Sequence, residues 1–216
     1  MYSLRLFFFE KEKQVARKTK AEAERTRARI LKAALSLFAE KGYDRTTFEK
    51  VAQCIRLSKG AVYWHFKSKP DLLTAVVEQM TARYAVHLKK TLPLADSLEG
   101  LKAHMVARAK FIVGTPDNRK FFKMMLLLDW PAPKFAPLKQ RLRQLETGPF
   151  FIIEKVLREA RSRGVLRPDV DVLEVRDVLG AMWMGLINLD VCTGLEADLS
   201  DAVEFDFESV FARIRA

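Results

Sequence analysis

One run of residues combines hydroxyl groups, cations and aromatic rings at helical spacing. It is Ser58–Lys69, in which the apolar residues Val62 and Phe66 stand four positions apart and would face the same side of a helix. The opposite side would then carry an ammonium group, a phenol, an indole and an imidazole. Cations, hydroxyls and helix N-terminal amides are the groups with which proteins hold phosphate. The run therefore favours a surface that binds a phosphate backbone.

Residues for catalysis or metal binding form no recognisable set. The three histidines, His65, His87 and His104, fall on separate predicted helices and lack the spacing of a metalloprotease helix. The sequence has neither a glycine-rich phosphate loop nor a nucleophile elbow. We expect no enzymatic activity, no catalytic residue, no metal and no cofactor.

Positive charge is concentrated in the first third of the 216-residue chain. Residues 1–70 contain 17 Lys and Arg against 7 Asp and Glu, whereas residues 71–216 contain 21 against 20. Such a segment binds a polyanion, either nucleic acid or an anionic membrane, unless it is only a solvated face. The longest uncharged stretch, Val178–Leu189, has 12 residues and is too short to cross a bilayer.

The basic segment is predicted to contain three helices before residue 67. An apolar stripe predicts the first from about Ala21 to Lys41, where Gly42 ends it. A capping box, in which the Thr46 hydroxyl and the Glu49 carboxylate satisfy backbone amides, begins a short second helix. This helix is expected to end near Ile55.

The third predicted helix, Lys59–Phe66, begins at Ser58 as its N-terminal cap. Only the turn Ile55–Ser58 separates it from the second helix, which is the spacing of a helix-turn-helix. In that motif the second helix enters the major groove of DNA while flanking residues contact phosphate. The basic segment is therefore predicted to be a DNA-binding domain.

The rest of the chain also has helical periodicity and no strand pattern. Capping residues, glycines and prolines predict the boundaries, and Pro149 is expected to kink or split one long stretch. A second capping box, Ser68–Asp71, begins the fourth helix. The remaining predicted helices are Lys69–Thr91, Leu98–Val113, one opened by Thr115–Asp117 and ending near Asp129, Lys134–Arg163, Val172–Cys192 and Ser200–Arg215. The predicted fold class is all-α.

Short motifs in the basic segment resemble the DNA-binding signature of TetR-family transcriptional regulators. They are Thr46-Thr47, Val51-Ala52 and the continuous run Leu57–Lys69. Residues 16–27 further resemble the start of the AcrR-like group, the multidrug-efflux repressors of that family. The resemblance is strong over residues 16–80. It implies an N-terminal three-helix DNA-binding domain with a helix-turn-helix and a C-terminal helical domain for ligand binding and dimerisation.

Transferred residue by residue, the resemblance implies the contacts with DNA. The expected phosphate contacts are Thr46, Thr47, Tyr63, His65 and Lys67. The expected groove-facing start and exposed side of the recognition helix are Ser58, Lys59, Gly60, Ala61 and Trp64. Lys69 is expected either to contact phosphate or to cap the fourth helix.

The turn of the motif departs from the family pattern. Ile55-Arg56-Leu57 stands where Ala-Gly-Val is common, so a glycine suited to positive φ is missing. The loss costs on the order of 1 kcal/mol. Arg56 is predicted either to contact phosphate, which would offset the loss, or to be a solvated charge.

The first residues are expected to be an extension. In the AcrR-like group a Met precedes the alanine that corresponds to Ala16, and here that position is Val15. Because valine codons can start translation in bacteria, we expect residues 1–14 to be an upstream extension that is dispensable. The predicted domains are a disordered segment at 1–15, the DNA-binding domain at 16–68 and the ligand-binding and dimerisation domain at 69–216.

Apolar residues of the C-terminal domain suggest two further sites. Soft and aromatic side chains can line an adaptable cavity, although each one is more often a core residue. The candidates for ligand binding are Phe111, Phe121, Met125, Trp130, Met184 and Asn188. Wide apolar stripes on the last two helices favour a homodimer interface or core packing about equally. The interface candidates are Val175, Leu179, Met182, Leu186, Phe207, Val210, Phe211 and Ile214.

Cysteine usage and the N-terminus indicate the compartment. Cys54 and Cys192 have neither the spacing of a metal site nor that of a disulfide framework, and their apolar helical surroundings predict buried free thiols. Leu6–Phe9 is too short for the apolar core of a signal peptide. We expect a cytoplasmic protein.

Together these expectations describe a homodimeric repressor that binds a near-palindromic operator in double-stranded DNA. A small lipophilic ligand would release it by favouring another spacing of the two recognition helices, with efflux as the controlled system by analogy. One alternative is a TetR-like regulator without a small-molecule effector. A more distant alternative is a basic helical protein that binds membrane or RNA.

Overall fold

The computed structural model of the protein describes residues 2–92, 97–144, 148–194 and 198–216, and only the backbone of residues 2–19. The described residues are mainly helical, and their only β feature is an isolated bridge between Leu166 and Arg215. The helices are α1 Tyr2–Lys41, α2 Phe48–Cys54, α3 Lys59–His65, α4 Lys69–Thr91, α5 Leu98–Val113, α6 Pro116–Leu127, α7 Ala136–Arg143, α8 Pro149–Ser162, α9 Val172–Thr193 and α10 Leu199–Ile214. A 3₁₀ turn, Pro133–Phe135, precedes α7. The predicted all-α fold class is confirmed.

Most predicted helix boundaries agree with the structure. Apart from the start of α1, each predicted limit lies within about two residues of the observed one, as expected for helix ends. The stretch predicted at Lys134–Arg163 is split into α7 and α8, with Pro149 in the first turn of α8. Proline is tolerated there because the amide that it lacks would have no partner within the helix.

Helix α1 is longer than predicted. It begins at Tyr2 instead of Ala21, so residues 2–15 have a helical backbone where we expected a disordered segment. No glycine or proline precedes Gly42, so no strong helix breaker interrupts this stretch. The side chains of residues 2–19 lie outside the described residues, and the dispensability of residues 1–14 stays a prediction.

The chain divides into two compact units, residues 1–76 and 77–216. We call them the N-terminal unit and the C-terminal unit. The division lies inside α4 and not at the predicted boundary after Ser68. The first two turns of α4, with the buried residues Leu72, Leu73 and Val76, belong to the N-terminal unit.

The N-terminal unit is organised around one apolar core. Val62 and Phe66 of the α3 region are buried, as their spacing predicted. The other large buried side chains of this unit include Ile30, Leu31, Phe38, Phe48, Val51, Leu72 and Leu73. This core holds α2 and α3 in place and leaves one side of α3 exposed.

The C-terminal unit has a second core, formed by α5, α8, α9 and α10. Phe207 and Phe211, one turn apart on α10, meet edge to face with ring centroids 5.8 Å apart. The Trp183 indole donates a hydrogen bond of 3.1 Å to the Met105 carbonyl, so this polar group is satisfied although it is buried. Core packing therefore uses the main apolar stripes of α9 and α10.

This core corrects the predicted dimer interface. Four of the eight candidates are buried inside the C-terminal unit, namely Leu179, Phe207, Phe211 and Ile214. The prediction is wrong for these four because each helix of a single unit must already bury one apolar stripe. The candidates that are only half-buried are Val175, Met182, Leu186 and Val210.

Candidate nucleic-acid interface

The helix-turn-helix forms with both of its helices capped by hydroxyl groups. Thr47 is the N-cap of α2, and its hydroxyl accepts a hydrogen bond of 3.3 Å from the Lys50 amide. Ser58 is the N-cap of α3, where its hydroxyl accepts a bond of 3.2 Å from the Ala61 amide. The hydroxyls of both caps belong to exposed residues at helix N-termini, where they can meet an anion.

Thr46 does not have its predicted role. It is 1% exposed, and its hydroxyl donates a hydrogen bond of 2.8 Å to the Gly42 carbonyl. The predictions that Thr46 caps α2 and contacts phosphate are therefore wrong. The hydroxyl instead closes the turn after α1, and the cap moves one residue to Thr47.

The turn between α2 and α3 contains a residue with positive φ, although its sequence lacks the glycine that the family pattern has there. Arg56 has φ +55°, in the left-handed region that favours glycine, so the absence of glycine does place another residue type in this conformation. The turn is fixed by a 2.9 Å bond from the Leu57 amide to the Ala52 carbonyl and by a 2.7 Å bond from Arg29 to the Ile55 carbonyl. The Arg56 side chain itself is exposed.

Helix α3 presents aromatic rings to solvent. Trp64 is 74% exposed and Tyr63 is 50% exposed, which is unusual for such large side chains in a folded unit. The Tyr63 and Phe48 rings meet edge to face with centroids 4.8 Å apart, and the Trp64 and His65 rings meet in the same way with centroids 4.5 Å apart. Both rings are therefore oriented by neighbours while most of their surface remains available.

The start of α3 is open and basic. Lys59 and Gly60 are exposed, and a methyl group built on Gly60 would meet only the Ser58 hydroxyl, at 3.8 Å. Lys59 forms an ion pair with Glu49 of α2 and lies 5.5 Å from the Tyr63 ring centroid. The hydrogen bond from Lys59 lowers the pKa of Glu49 to about 2, so this carboxylate is ionised at neutral pH. DNA phosphates would have to compete with Glu49 for this ammonium group.

A surface pocket of about 380 Å³ lies beside α3 and brings together several predicted phosphate contacts. Thr47, Tyr63, Lys67 and Ser68 line it, and we call these four residues the phosphate pocket. The other lining residues are Thr46, Phe48, Glu49 and Lys69, so one carboxylate also borders this space. Its hydroxyl, phenol and ammonium groups have the chemistry that phosphate oxygens require.

His65 and Lys69, at the edges of this region, have more restricted surroundings than expected. Burial, with a smaller contribution from the charge of Arg27, lowers the pKa of half-buried His65 and favours the neutral ring. Lys69 donates hydrogen bonds of 3.0 and 3.2 Å to the Tyr43 and Asp44 carbonyls, and also lies over the Tyr43 ring. Lys69 thus stabilises the turn after α1, which neither predicted role included.

The capping box before α4 is confirmed in a modified form. The Ser68 hydroxyl accepts a 3.2 Å bond from the Asp71 amide, as predicted. The Asp71 carboxylate, however, accepts a hydrogen bond of 2.9 Å from the Lys67 amide. In the standard motif the donor would be the amide of the cap residue itself, Ser68. The Lys67 backbone is therefore fixed while its side chain remains exposed.

The six ligand-binding candidates of the C-terminal unit do not line one cavity. The Phe111 ring stacks on the His87 ring with centroids 4.3 Å apart, whereas Phe121 is a buried residue of α6. Trp130 donates a 2.8 Å bond to the Met125 carbonyl and borders a shallow depression beside α7. The remaining two are Met184, half-buried against the core, and Asn188, which is exposed.

A buried polar cluster beside Phe111 was missed by the sequence reasoning. It contains Tyr84 of α4 and His104 and Arg108 of α5, all buried. A signal was present, because Arg108 falls in the apolar stripe of α5 between Met105 and Ile112, where an ion is unusual.

Exposed apolar residues of α9 and α10 were missed as well. Val178, Leu189 and Phe205 are 48, 51 and 73% exposed. Cys54 and Cys192 are exposed too, contrary to the predicted burial, because both lie at the ends of their helices. The overall apolar character of α9 was recognised, but its sequence pattern did not distinguish the buried side from the open one.

Other site types find no support within the described ranges. No group of three His, Cys, Asp or Glu residues there is arranged to hold a metal ion. None of the helices searched in those ranges is long and apolar enough to span a bilayer.

Comparisons with known proteins match this arrangement. A family model described as bacterial regulatory proteins of the tetR family matches residues 30–76, which contain the helix-turn-helix. The HTH-type transcriptional regulator SrpR of Pseudomonas putida is 30% identical over 175 residues, which are 80% of this chain and 78% of SrpR. The HTH-type regulator AcrR of Shigella flexneri is 45% identical over 64 residues, 30% of each chain.

A solved structure of a SmeT–triclosan complex extends the similarity to three dimensions. It has a TM-score of 0.69 and 27% identity, and the match covers 88% of this chain and 92% of SmeT. SmeT is the repressor of the Stenotrophomonas maltophilia multidrug efflux pump SmeDEF. The relationship to SrpR spans both units, and the motifs that resemble the family lie in a capped helix-turn-helix with an exposed recognition helix. The chain therefore belongs to the TetR family of bacterial transcriptional regulators.

Proposed function

We propose that the protein is a homodimeric repressor whose two α3 helices bind a near-palindromic operator. The observation that supports this most directly is the exposed side of α3, where Tyr63 and Trp64 lie next to the open helix start at Gly60. The phosphate pocket lies beside this side and would fix the helix on the DNA backbone. Base reading would then fall to Lys59, Gly60, Ala61 and Trp64.

The dimer would form through α9 and α10. Val178, Leu189 and Phe205 expose apolar surface that the C-terminal core does not cover. A two-fold axis through such a surface would pair two recognition helices, as a palindromic operator requires. These three residues replace the four core residues in the predicted interface.

Release from the operator would follow binding of a small lipophilic effector in the C-terminal unit. SmeT has been solved with triclosan, and SmeT represses a multidrug efflux pump, which supports a similar effector and a controlled efflux system here. Helix α4 contributes residues to both units and is therefore the element in which we place the coupling. A regulator without an effector is the alternative.

The first experiment is a binding titration against DNA from immediately upstream of the protein's own gene. Fluorescence anisotropy would compare this DNA with a scrambled duplex at several salt concentrations. We expect binding of the upstream DNA at physiological salt, and at least about 10³-fold weaker binding of the scrambled duplex. Equal, steeply salt-dependent binding to both duplexes would contradict binding to an operator at this locus.

Matched lysine variants separate the phosphate pocket from general charge. K67A removes an ammonium group of the phosphate pocket, whereas K110A removes one from the exposed end of α5. We expect K67A to weaken upstream DNA binding and to lower the salt slope by about one per subunit. K110A should leave both unchanged, and an equal effect of the two variants would contradict the assigned interface.

A further inference from the structure

We propose that the effector is an apolar organic acid whose carboxylate binds Arg108, His104 and Tyr84 inside the C-terminal unit. This inference rests on the proposed function, in which that unit binds the effector, and it names the chemical class. The three residues lie on α4 and α5, and we call them the acid-binding cluster. An aromatic or alicyclic carboxylate combines the charge and the apolar body that this cluster and its surroundings fit.

Arg108 supplies the charge. Its side chain is 2% exposed, and its guanidinium carbon lies 5.1 Å from the Tyr84 ring centroid and 5.5 Å from that of Trp183. Aromatic faces stabilise a cation only partly, whereas a carboxylate can accept two parallel hydrogen bonds from a guanidinium. Arg108 also interacts with the Tyr84 hydroxyl, and a carboxylate at this place would bind both groups.

His104 supplies unused hydrogen-bonding capacity. The residue is fully buried, and beyond an interaction with the Thr91 backbone its ring nitrogens have no hydrogen-bond partner among the described residues. Burial and the positive charge of Arg108 lower the pKa of His104 to about 4, so at neutral pH the ring is neutral and has one N–H to donate. A carboxylate oxygen beside Arg108 would satisfy this donor.

Tyr84 adds a hydroxyl at the same place. Its hydroxyl oxygen is buried, and burial raises the pKa of the phenol, which keeps it in the donating form. The centroid of its ring lies 5.6 Å from that of Phe111 and 5.8 Å from that of Phe122. The same residue therefore presents a polar group and part of an aromatic wall.

The charged groups on the helices around the cluster favour an anion over a cation. Glu78 of α4 forms an ion pair of 2.7 Å with Arg141, and Asp190 of α9 forms one of 2.8 Å with Arg119. Each of these carboxylates is thus already neutralised. A cationic effector would have to displace an arginine and also approach Arg108.

An apolar cavity provides space for the body of the acid. It has a volume of about 280 Å³ and is lined by Val77, Thr81, Tyr84 and Ala85 of α4 and by Leu138 of α7, together with the Glu78–Arg141 ion pair. This is near the lower end of the roughly 300–1,000 Å³ typical of ligand pockets. Tyr84 lines the cavity and lies against Arg108, whereas Arg108 and His104 do not line it. The proposed acid would therefore place its ring in the cavity and direct its carboxylate past Tyr84 to the cluster.

The test compares three probes of one shape with different charge. Calorimetric titration of the full-length protein would use 2-naphthoate, 2-naphthamide and 2-naphthylmethylammonium. We expect 2-naphthoate to bind at least about tenfold more tightly than either other probe, because only it forms charge-assisted bonds. Equal or tighter binding of the cation, or no binding of any probe, would overturn the proposal.

Variants then assign the preference to the cluster. R108M should weaken 2-naphthoate binding about tenfold and remove the preference over the amide, whereas R158M, a control on the exposed side of α8, should change neither. Y84F removes a single oxygen, is expected to weaken 2-naphthoate binding about threefold, and keeps the test valid if R108M does not fold. Unchanged affinity in Y84F together with unchanged affinity in a folded R108M would overturn the proposal.

Operator binding in the same samples distinguishes the two proposals. Specific DNA binding without any preference for the acid would overturn the effector class alone. Absence of specific binding to the upstream DNA would contradict an operator at this locus, whatever the probes do.

Discussion

Arg56 holds a backbone conformation that most residues avoid, in the turn on which the orientation of α3 depends. Its φ of +55° carries a conformational cost, yet its side chain is exposed in the turn that leads into the recognition helix. Residues other than glycine, asparagine and aspartate rarely adopt the left-handed conformation, because it costs conformational free energy. Such a residue persists either because the fold tolerates this cost or because its side chain has a function. Two substitutions can separate the backbone effect from the effect of charge.

R56G and R56A both remove the charge, but only R56G removes the conformational cost of the positive φ. We expect R56G to raise the free energy of unfolding by about 1 kcal/mol relative to R56A, because glycine adopts positive φ without a steric penalty. Urea denaturation of the two variants and the parent protein measures this difference. Equal stability of the two variants would show that the conformation carries no measurable cost.

DNA binding of the same two variants reports on the side chain. If Arg56 contacts phosphate, both variants bind operator DNA more weakly, and the salt slope falls by about one per subunit. If the side chain is only a solvated charge, binding and slope stay unchanged in both. A loss in R56G alone would instead indicate that flexibility in the turn impairs binding.

His104 makes stability depend on pH. Its pKa is about 4 in the folded protein, below the ordinary value of 6.5, so the unfolded chain binds more protons between these two values. The corresponding stability is fully present above pH 6.5 and is lost as the pH falls to 4, with an upper limit of about 3 kcal/mol.

Urea denaturation at pH 4.5 and 7 tests this linkage with the variant H104L. The parent protein should lose more stability between the two pH values than H104L does. His87, which is half-buried with a lowered pKa, contributes in the same direction and remains present in both proteins. An identical pH dependence of parent and variant would show that His104 keeps its ordinary pKa.

Helix boundaries were predictable because the residues that begin and end helices act locally. Ser58 caps α3 and Pro149 begins α8, and a cap or a proline needs no knowledge of the rest of the fold. The choice between Thr46 and Thr47 was not predictable in this way. Thr46 lost the cap to its neighbour because its own hydroxyl closes the turn after α1, a contact that depends on how the chain returns.

The faces of the helices were harder to assign than their limits. Leu179 and Val178 are neighbours on α9, yet one is fully buried and the other is about half exposed. Helix α9 has few charged residues to mark its polar side, so apolar periodicity alone did not distinguish core from interface. Arg108 is the converse case, because it is a charged residue that the fold buries within the apolar stripe of α5, where charged residues are rare.

The length of α1 leads to a prediction at the level of the element. Residues 2–15 extend the helix, and among the side chains of α1 that the structure describes, from Lys20 onward, the buried ones begin at Ile30. We expect a chain without residues 2–15 to keep its free energy of unfolding within about 0.5 kcal/mol and its operator affinity within about threefold. Urea denaturation and anisotropy titration measure the two quantities.

The same deletion also tests the membrane alternative. Phe7–Phe9 and the basic residues that follow would be the lipid-binding part of such a protein. Sedimentation with anionic vesicles should show no binding that depends on residues 2–15. Loss of lipid binding together with unchanged DNA binding would identify a second role for this end of α1, and loss of DNA binding would contradict its dispensability.

At the scale of the whole molecule, charge is distributed according to the proposed tasks of the two units. Residues 1–70 have an excess of ten positive charges, whereas residues 71–216 are nearly balanced. The excess lies in the part of the chain that carries the exposed α3 and the phosphate pocket. This division was visible in the sequence, whereas the position of the effector site was not, because the cavity is lined by α4 and α7, which are far apart along the chain.

Dimerisation is the property of the whole molecule that the operator model requires. Phe205 on α10 is 73% exposed, which is costly to solubility for a phenylalanine unless a partner covers it. We expect F205E to weaken the dimer at least about thirtyfold, the effect of losing an aromatic interface residue worth about 2 kcal/mol. Analytical ultracentrifugation across a concentration series measures the dimer dissociation constant.

Operator binding should weaken in parallel, because a single recognition helix contacts only one half-site. L127E makes the same kind of change at a 58% exposed leucine of α6 and serves as the matched control. It should leave both the dimer and DNA binding intact. If F205E remained dimeric at the concentrations at which the parent protein dimerises, the interface would have to lie on another surface, and the pairing of two α3 helices through α9 and α10 would be excluded.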